Sequence, residues 1–158
     1  MNNDLLHILR LFSVMIYFFI ASQGGFYLLC FARVLQTIPT DQFLRIRQVI
    51  NSVIERPLKI LYLLAPVCLV IWLILTLKFK DIPSSLPLVL ALALLTADMV
   101  LAFKRSIPLN VLIEMLANET CREEAHQVQQ RWLKYIVIRG YLSVGGFMWL
   151  VIQVLTDR

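Results

Sequence analysis

Two residues of opposite charge, Asp98 and Arg139, stand inside stretches that are otherwise almost wholly apolar. In hydrocarbon a carboxylate near a helix centre costs about 2.5–3.5 kcal/mol on the insertion scale, so Asp98 must turn away from lipid. The stretch 86–103 tolerates that cost. Its seven leucines, two valines and one phenylalanine together favour insertion by about 3–6 kcal/mol. Arg139 falls at a similar depth on another stretch, which makes a charge-assisted Asp98–Arg139 pair the expected partnership. Arg105, seven residues on from Asp98, is the competitor, at a longer reach. Such a pair has three candidate roles: a lock between two helices, a grip on the polar part of a bound molecule, or a proton relay. Asn51, Asn110, Gln23 and Gln153 are the other polar residues near or within apolar sequence. Gln23, mid-membrane beside two glycines, is expected to hydrogen-bond across helices. Asn51 and Asn110, with Trp132 and Tyr135, point to a pocket for a small apolar or aromatic molecule near one end of the helices. The candidate lining is Asn51, Asp98, Asn110, Trp132, Tyr135 and Arg139.

Other chemistries find little to stand on. His7 and His126 are expected on opposite sides of the membrane and cannot share a metal or haem. HExxH and CxxC spacings are absent from the sequence, as are a Ser/His/Asp set and a Gly-rich phosphate loop. Cys30, Cys68 and Cys121 form no close-spaced pair. No cofactor or metal is called for.

The elements that must position these residues follow from composition. The 158 residues are 59% hydrophobic and only 16% charged, and the mean hydropathy is +0.77. Soluble domains carry roughly 45–50% apolar and about 25% charged residues. The excess falls into four blocks, about 11–32, 58–77, 86–103 and 135–155, each near the ~20 residues that cross a bilayer. The first block is too long for the h-region of a secretory signal and is read as retained. The expectation is an all-α membrane four-helix bundle forming a single transmembrane domain, 1–158, in contact with the lipid bilayer. The net charge of +5 does not imply nucleic acid, because the basic residues flank the apolar blocks. Arg33, Arg45, Arg47, Arg56 and Lys59 lie between the first two blocks, and Lys104, Arg105, Arg122, Arg131, Lys134 and Arg139 between or beside the last two. Only Arg10, Lys78, Lys80 and Arg158 stand on the other side. The positive-inside rule then places both longer connections in the cytoplasm and both termini outside it. The expected location is a cell membrane, of bacterial inner-membrane type.

Both connections carry helical patterns. Phe43, Ile46, Ile50, Val53 and Ile54 recur at helical spacing, with Arg45, Arg47, Asn51 and Glu55 between them. This predicts an amphipathic helix between crossings 1 and 2, lying in the headgroup layer or against the bundle, with Pro57 turning the chain into the second crossing. Thr120 to Glu123 fits a capping box, and no Pro or Gly follows until Gly140. A single helix from about Cys121 to Leu155 would be ~50 Å long, so its first turns should extend into the cytoplasm. Trp132 and Tyr135 then fall where an interfacial aromatic belt belongs. Pro108 should free carbonyls in the preceding turn and kink the chain there, with Asn110 bracing the kink or lining a pocket. Ala21, Gly24 and Gly25, against Gly140, Ser143, Gly145 and Gly146, predict close packing of the first and fourth helices.

Several short stretches carry a resemblance. They are Arg47-Gln-Val-Ile-Asn51 followed by Pro57, Ser106-Ile-Pro-Leu-Asn110, and Trp132-Leu-Lys-Tyr-Ile-Val-Ile-Arg139, with Gly24 and Gly25 upstream. In order and spacing the chain resembles the anthrone oxygenase-like family of small four-helix membrane proteins, most without an assigned function, over roughly Gln23 to Trp149. The resemblance implies that Asn51, Pro57, Pro108, Leu109, Asn110, Trp132 and Arg139 form one pocket or one structural knot at the cytoplasmic helix ends. It also implies a departure: Ser106 stands in place of an asparagine, Tyr135 in place of a tryptophan, and Ile136-Val137 where Asn-His is common. If that polar pair carries the oxygenase chemistry, this chain has lost it.

Three functions remain open from sequence. One is a bundle binding a small apolar or aromatic ligand, with cofactor-free oxidation of an aromatic substrate as its enzymatic variant. Another is an assembly protein, docking a membrane-protein partner through the helix 121–135 or pairing as a homo-oligomer. Transport is disfavoured for a monomer by the absence of a broken-helix pair.

Overall fold

The structure, a computed structural model, describes residues 3–79, 85–117 and 122–156. These form α1 (Asn3–Phe26), α2 (Ala32–Thr37), α3 (Thr40–Phe79), α4 (Leu86–Leu101), α5 (Ile107–Leu116) and α6 (Arg122–Thr156). A π-helical turn, Tyr27–Phe31, joins α1 to α2, and a second, Ala102–Ser106, joins α4 to α5. The result is four rods running up and down in an antiparallel bundle: α1 with α2, then α3, then α4 with α5, then α6. Each contains a stretch long and apolar enough to span a bilayer, and the protein is a multi-pass membrane protein. At 1.5 Å per residue the rods are about 45–60 Å long, well beyond the ~30 Å of a hydrocarbon layer. One end of the bundle carries the break at residues 38–39, the end of α5 and the start of α6, and is called the connection end. The other carries the start of α1 and the end of α6, and is called the terminus end.

The outer surface is apolar. Leu29, Val53, Leu63, Phe103 and Leu155 are all exposed. In water such a belt would drive aggregation; in lipid it is the solvated face. Inside, two apolar cores are stacked along the bundle. The one nearer the termini gathers Tyr17, Ile20, Leu69, Trp72, Leu88, Leu95 and Leu150. The one at the connection end gathers Leu35, Phe43, Ile113, Leu116, Trp132 and Leu133.

The prolines act locally. Pro39 bars the preceding residue from helical geometry, and Ile38 is extended at φ −81°, ψ 150°, which ends α2. Gln129 on α6 then serves the broken end. Its Nε2 donates to the Leu35 carbonyl at 2.9 Å, and its Oε1 accepts from the Thr40 hydroxyl at 2.8 Å. Pro108 does not end its helix. The wider π turn before it lets Ile107 N–H donate back to the Ala102 carbonyl, so the chain continues to Leu116. Pro57 and Pro66 both lie inside α3. The expected turn at Pro57 is absent, and the amphipathic segment continues without a break in helical structure into the second crossing.

That segment packs against the bundle, with a phase different from the one its apolar residues suggest. Phe43, Leu44 and Arg47 are buried, whereas Ile46, Val49 and Val53 are exposed. Apolar side chains on the outer face meet lipid, so the polar residues of the repeat are free to point inward. The fourth helix is as long as expected, but its first turns do not stand free: Ala125, Val128, Gln129, Trp132 and Leu133 are buried. Thr120 and Cys121 of the expected capping box lie outside the described residues.

The first and fourth rods meet at Gly24, Gly140, Ser143 and Gly146. A Cβ on Gly24 would lie 2.2 Å from Ser143 Oγ and 3.0 Å from Gly140 Cα. One on Gly146 would lie 1.8 Å from the Tyr17 hydroxyl oxygen. Gly25 and Gly145, also expected at this contact, have no neighbour nearer than 3.8 Å. The seam follows Tyr17, Ala21, Gly24 and Leu28, one step round the helix from an Ala21–Gly25 line.

Candidate functional site: an interhelical cavity

Between the two apolar cores lies a polar layer. Arg139 Nε donates to Asp98 Oδ1 at 2.7 Å, and a second guanidinium nitrogen donates to the Tyr62 hydroxyl at 2.9 Å. The Tyr62 hydroxyl in turn donates to Asp98 Oδ2. Three rods are thus joined through one closed ring of hydrogen bonds. Asp98 is fully buried and the Arg139 side chain is 12% exposed. The pair expected from matched depth forms. Arg105 goes elsewhere, over the ring of Tyr135 at 5.9 Å.

Toward the connection end, a second network centres on Asn110. Its Oδ1 accepts from Trp132 Nε1 at 2.9 Å and from Arg47 at 3.4 Å. Its Nδ2 donates to Asn51 Oδ1 at 3.3 Å. Asn51 Nδ2 donates to Glu114 Oε1 at 2.9 Å, and Arg47 donates to the Tyr27 hydroxyl at 3.2 Å. The Arg47 guanidinium lies 4.1 Å from the centroid of the Trp132 ring, close enough for a cation–π contact. Trp132 is held edge-on by Tyr27 and Phe43, each with ring centroids 5.7 Å away. It is therefore an interior residue, 3% exposed, and not part of an interfacial belt. Tyr135 is half-buried against the connection-end core.

Both networks face a cavity of about 520 Å³ between α3 and the third rod. Arg47, Asn51, Tyr62, Asn110, Trp132 and Arg139 supply its polar and aromatic wall, while Leu58, Met99, Ala102 and Ile136 supply apolar surface. Leu63, Phe103, Ile107 and Val111 also line it and are exposed on the lipid-facing surface, so the cavity opens sideways between the rods. Both π turns border it, through Tyr27 on one side and Ala102, Phe103 and Ser106 on the other. Such turns re-aim side chains, and they recur at functional sites.

Of the six residues expected to line a pocket, Asn51, Asn110, Trp132 and Arg139 do so. Asp98 sits behind the wall, bonded to two of its members, and Tyr135 lies away from it. Gln23 lines the cavity, but its expected cross-helix hydrogen bond is not seen among the described residues. Gln153 works at the terminus end, where its Oε1 accepts from Leu88 N–H at 3.3 Å, one of the otherwise unserved amides at the start of α4. Arg47, Tyr27, Tyr62 and Glu114 were not legible as site residues. Arg47 read as a headgroup-facing charge, and tyrosine within an apolar run carries no signal of its own. No protein-family model, curated protein or solved structure matches the chain.

Proposed function

We propose that this membrane protein binds a small apolar or aromatic molecule in the cavity between α3 and the third rod. The observation that carries the reading is the cavity itself. Its volume, about 520 Å³, lies within the ~300–1,000 Å³ usual for ligand pockets, and it combines apolar walls with a few fixed polar groups. The orientation that goes with this reading has the connection end in the cytoplasm, so the cavity opens in the cytoplasmic half of the bilayer.

The resemblance to the anthrone oxygenase-like family supports the same place. Asn51, Asn110, Trp132 and Arg139, four of the positions it singles out, line one cavity. A reaction of that type would be a cofactor-free oxidation of an aromatic substrate. Ile136, which stands where that family commonly has asparagine, presents an aliphatic side chain to the cavity. We therefore infer binding rather than turnover. A docking role for the segment 121–135 draws less support, because its apolar face is already buried against the chain's own helices.

Mass spectrometry of molecules that co-purify in mild detergent tests the reading. Met99→Trp places an indole where a half-buried side chain now lines the cavity. The expected result is a bound apolar species in the parent protein and at least a tenfold lower occupancy in the variant, with circular dichroism unchanged. Equal occupancy in a folded variant would remove the cavity as the binding site.

A further inference from the structure

Arg47 is 5% exposed and has no carboxylate within ion-pair distance among the described residues. The neighbouring acids are otherwise engaged. Asp98 is held by Arg139 and Tyr62, Glu55 by Lys59, and Glu114 accepts from Asn51. What Arg47 does have is neutral: a tyrosine hydroxyl at 3.2 Å, an amide oxygen at 3.4 Å and the face of an indole. Its Nε is buried without a hydrogen-bond partner. Buried charges are ordinarily paired, because removing an ion from water costs several kcal/mol that dipoles alone recover only in part. Arg139, in the same cavity wall, has its carboxylate; Arg47 does not. The guanidinium lines the cavity, so a molecule lying there can supply the missing charge.

Resting on the cavity reading above, we propose that the ligand is an amphipathic carboxylate. Its anionic oxygens meet Arg47, flanked by the Asn51 and Asn110 amides. Its hydrocarbon or aromatic body lies along Leu58, Met99 and Phe103 toward the opening between the rods. A planar guanidinium fork suits a carboxylate, whose two oxygens it can engage together. The opening is bordered by lipid-exposed apolar residues, so entry is sideways from the bilayer, where such a molecule partitions. Two sources fit this chemistry: an aliphatic acid released from lipid, and an aromatic acid.

The test uses the full chain in nanodiscs of zwitterionic lipid, with protein-free nanodiscs subtracted. Four probes are titrated by calorimetry: laurate and dodecanol, and 2-naphthoate and 2-naphthalenemethanol. The expected result is that at least one acid binds tenfold or more tightly than its own alcohol. That ratio should fall to near one in Arg47→Gln and be partly kept in Arg47→Lys. Preference confined to laurate identifies the aliphatic source, and preference confined to 2-naphthoate the aromatic one. Acid and alcohol binding equally to the parent protein would overturn the anion while leaving the cavity reading intact. Failure of all four probes would overturn the carboxylate. With equal co-purified occupancy in Met99→Trp, it would overturn the cavity as well. Should Arg47→Gln fail to fold, the acid-to-alcohol ratio in the parent protein still decides.

Discussion

Asp98 is tolerable in lipid only because both of its oxygens are engaged, one by Arg139 and one by Tyr62. The three groups form a unit, and removing them singly should not be equivalent. Asp98→Ala leaves a guanidinium buried beside one phenol, and breaking a buried pair in this way typically costs about 3–5 kcal/mol. Tyr62→Phe removes one bridging hydroxyl and should cost about 1–3 kcal/mol, the penalty for leaving buried groups short of a partner. Unfolding of the detergent-solubilised protein, followed by circular dichroism, should rank them in that order. A milder effect for Asp98→Ala than for Tyr62→Phe would mean that the ion pair contributes little. Exchanging the two charges, Asp98→Arg with Arg139→Asp, separates a lock from a site. Stability regained without the co-purifying molecule marks Arg139 as a ligand contact; both regained marks the pair as structural.

Among the elements, the seam between the first and fourth rods makes the sharpest contrast. Gly146→Ala would drive a methyl against Tyr17, which is fully buried and tied by its hydroxyl to the Ala91 carbonyl at 3.2 Å, so it cannot swing aside cheaply. Gly140→Ala would press on Leu28 and on the Gly24 carbonyl at 3.0 Å, which is backbone. Overpacking of this kind costs about 1–3 kcal/mol. Gly25→Ala and Gly145→Ala meet only ordinary contacts at 3.8 Å and should be neutral, or stabilising by up to about 1 kcal/mol, since alanine restricts the unfolded chain. Melting temperatures of the four variants would show whether the seam runs where the structure places it. Composition alone was enough to find this contact between helices, because only small residues allow backbones so close. Its register was not legible, because Gly24 and Gly25 are adjacent and either could have faced inward. The same limit hid Arg47. A periodic apolar pattern identifies a helix, but in a membrane the apolar face can be the outer one, and Ile46 and Val53 took it. Pro57 misled for a related reason. A break in a helix is costly only where nothing re-satisfies the freed backbone groups, and in a packed bundle a π turn or a neighbouring rod can do so.

For the molecule as a whole, the compartment that the cavity's near end faces follows from where the cations settle. Of the basic residues counted toward the connection end, Arg47 and Arg139 point inward and do not report on orientation, and the Arg122 side chain lies outside the described set. Arg33, Arg45, Arg56, Lys59, Lys104, Arg105, Arg131 and Lys134 remain, all exposed in the connection-end half. Against them the terminus end shows Arg10 and the exposed Lys78 among the described residues, with Lys80 and Arg158 outside them. The bias survives the loss of its buried members, so the positive-inside rule favours the orientation proposed above, with the connection end in the cytoplasm. A cysteine at exposed Gln127, in a chain whose three native cysteines are alanine, should react with a membrane-impermeant maleimide only after the membrane is opened. A tag fused to either terminus should be reachable on intact spheroplasts. Replacing Arg33, Arg45, Arg131 and Lys134 together with glutamine removes half of the exposed connection-end cations and should yield a mixed population in the same assay. Labelling of position 127 on intact cells would invert the map, and the half of the bilayer from which a ligand reaches Arg47 would invert with it.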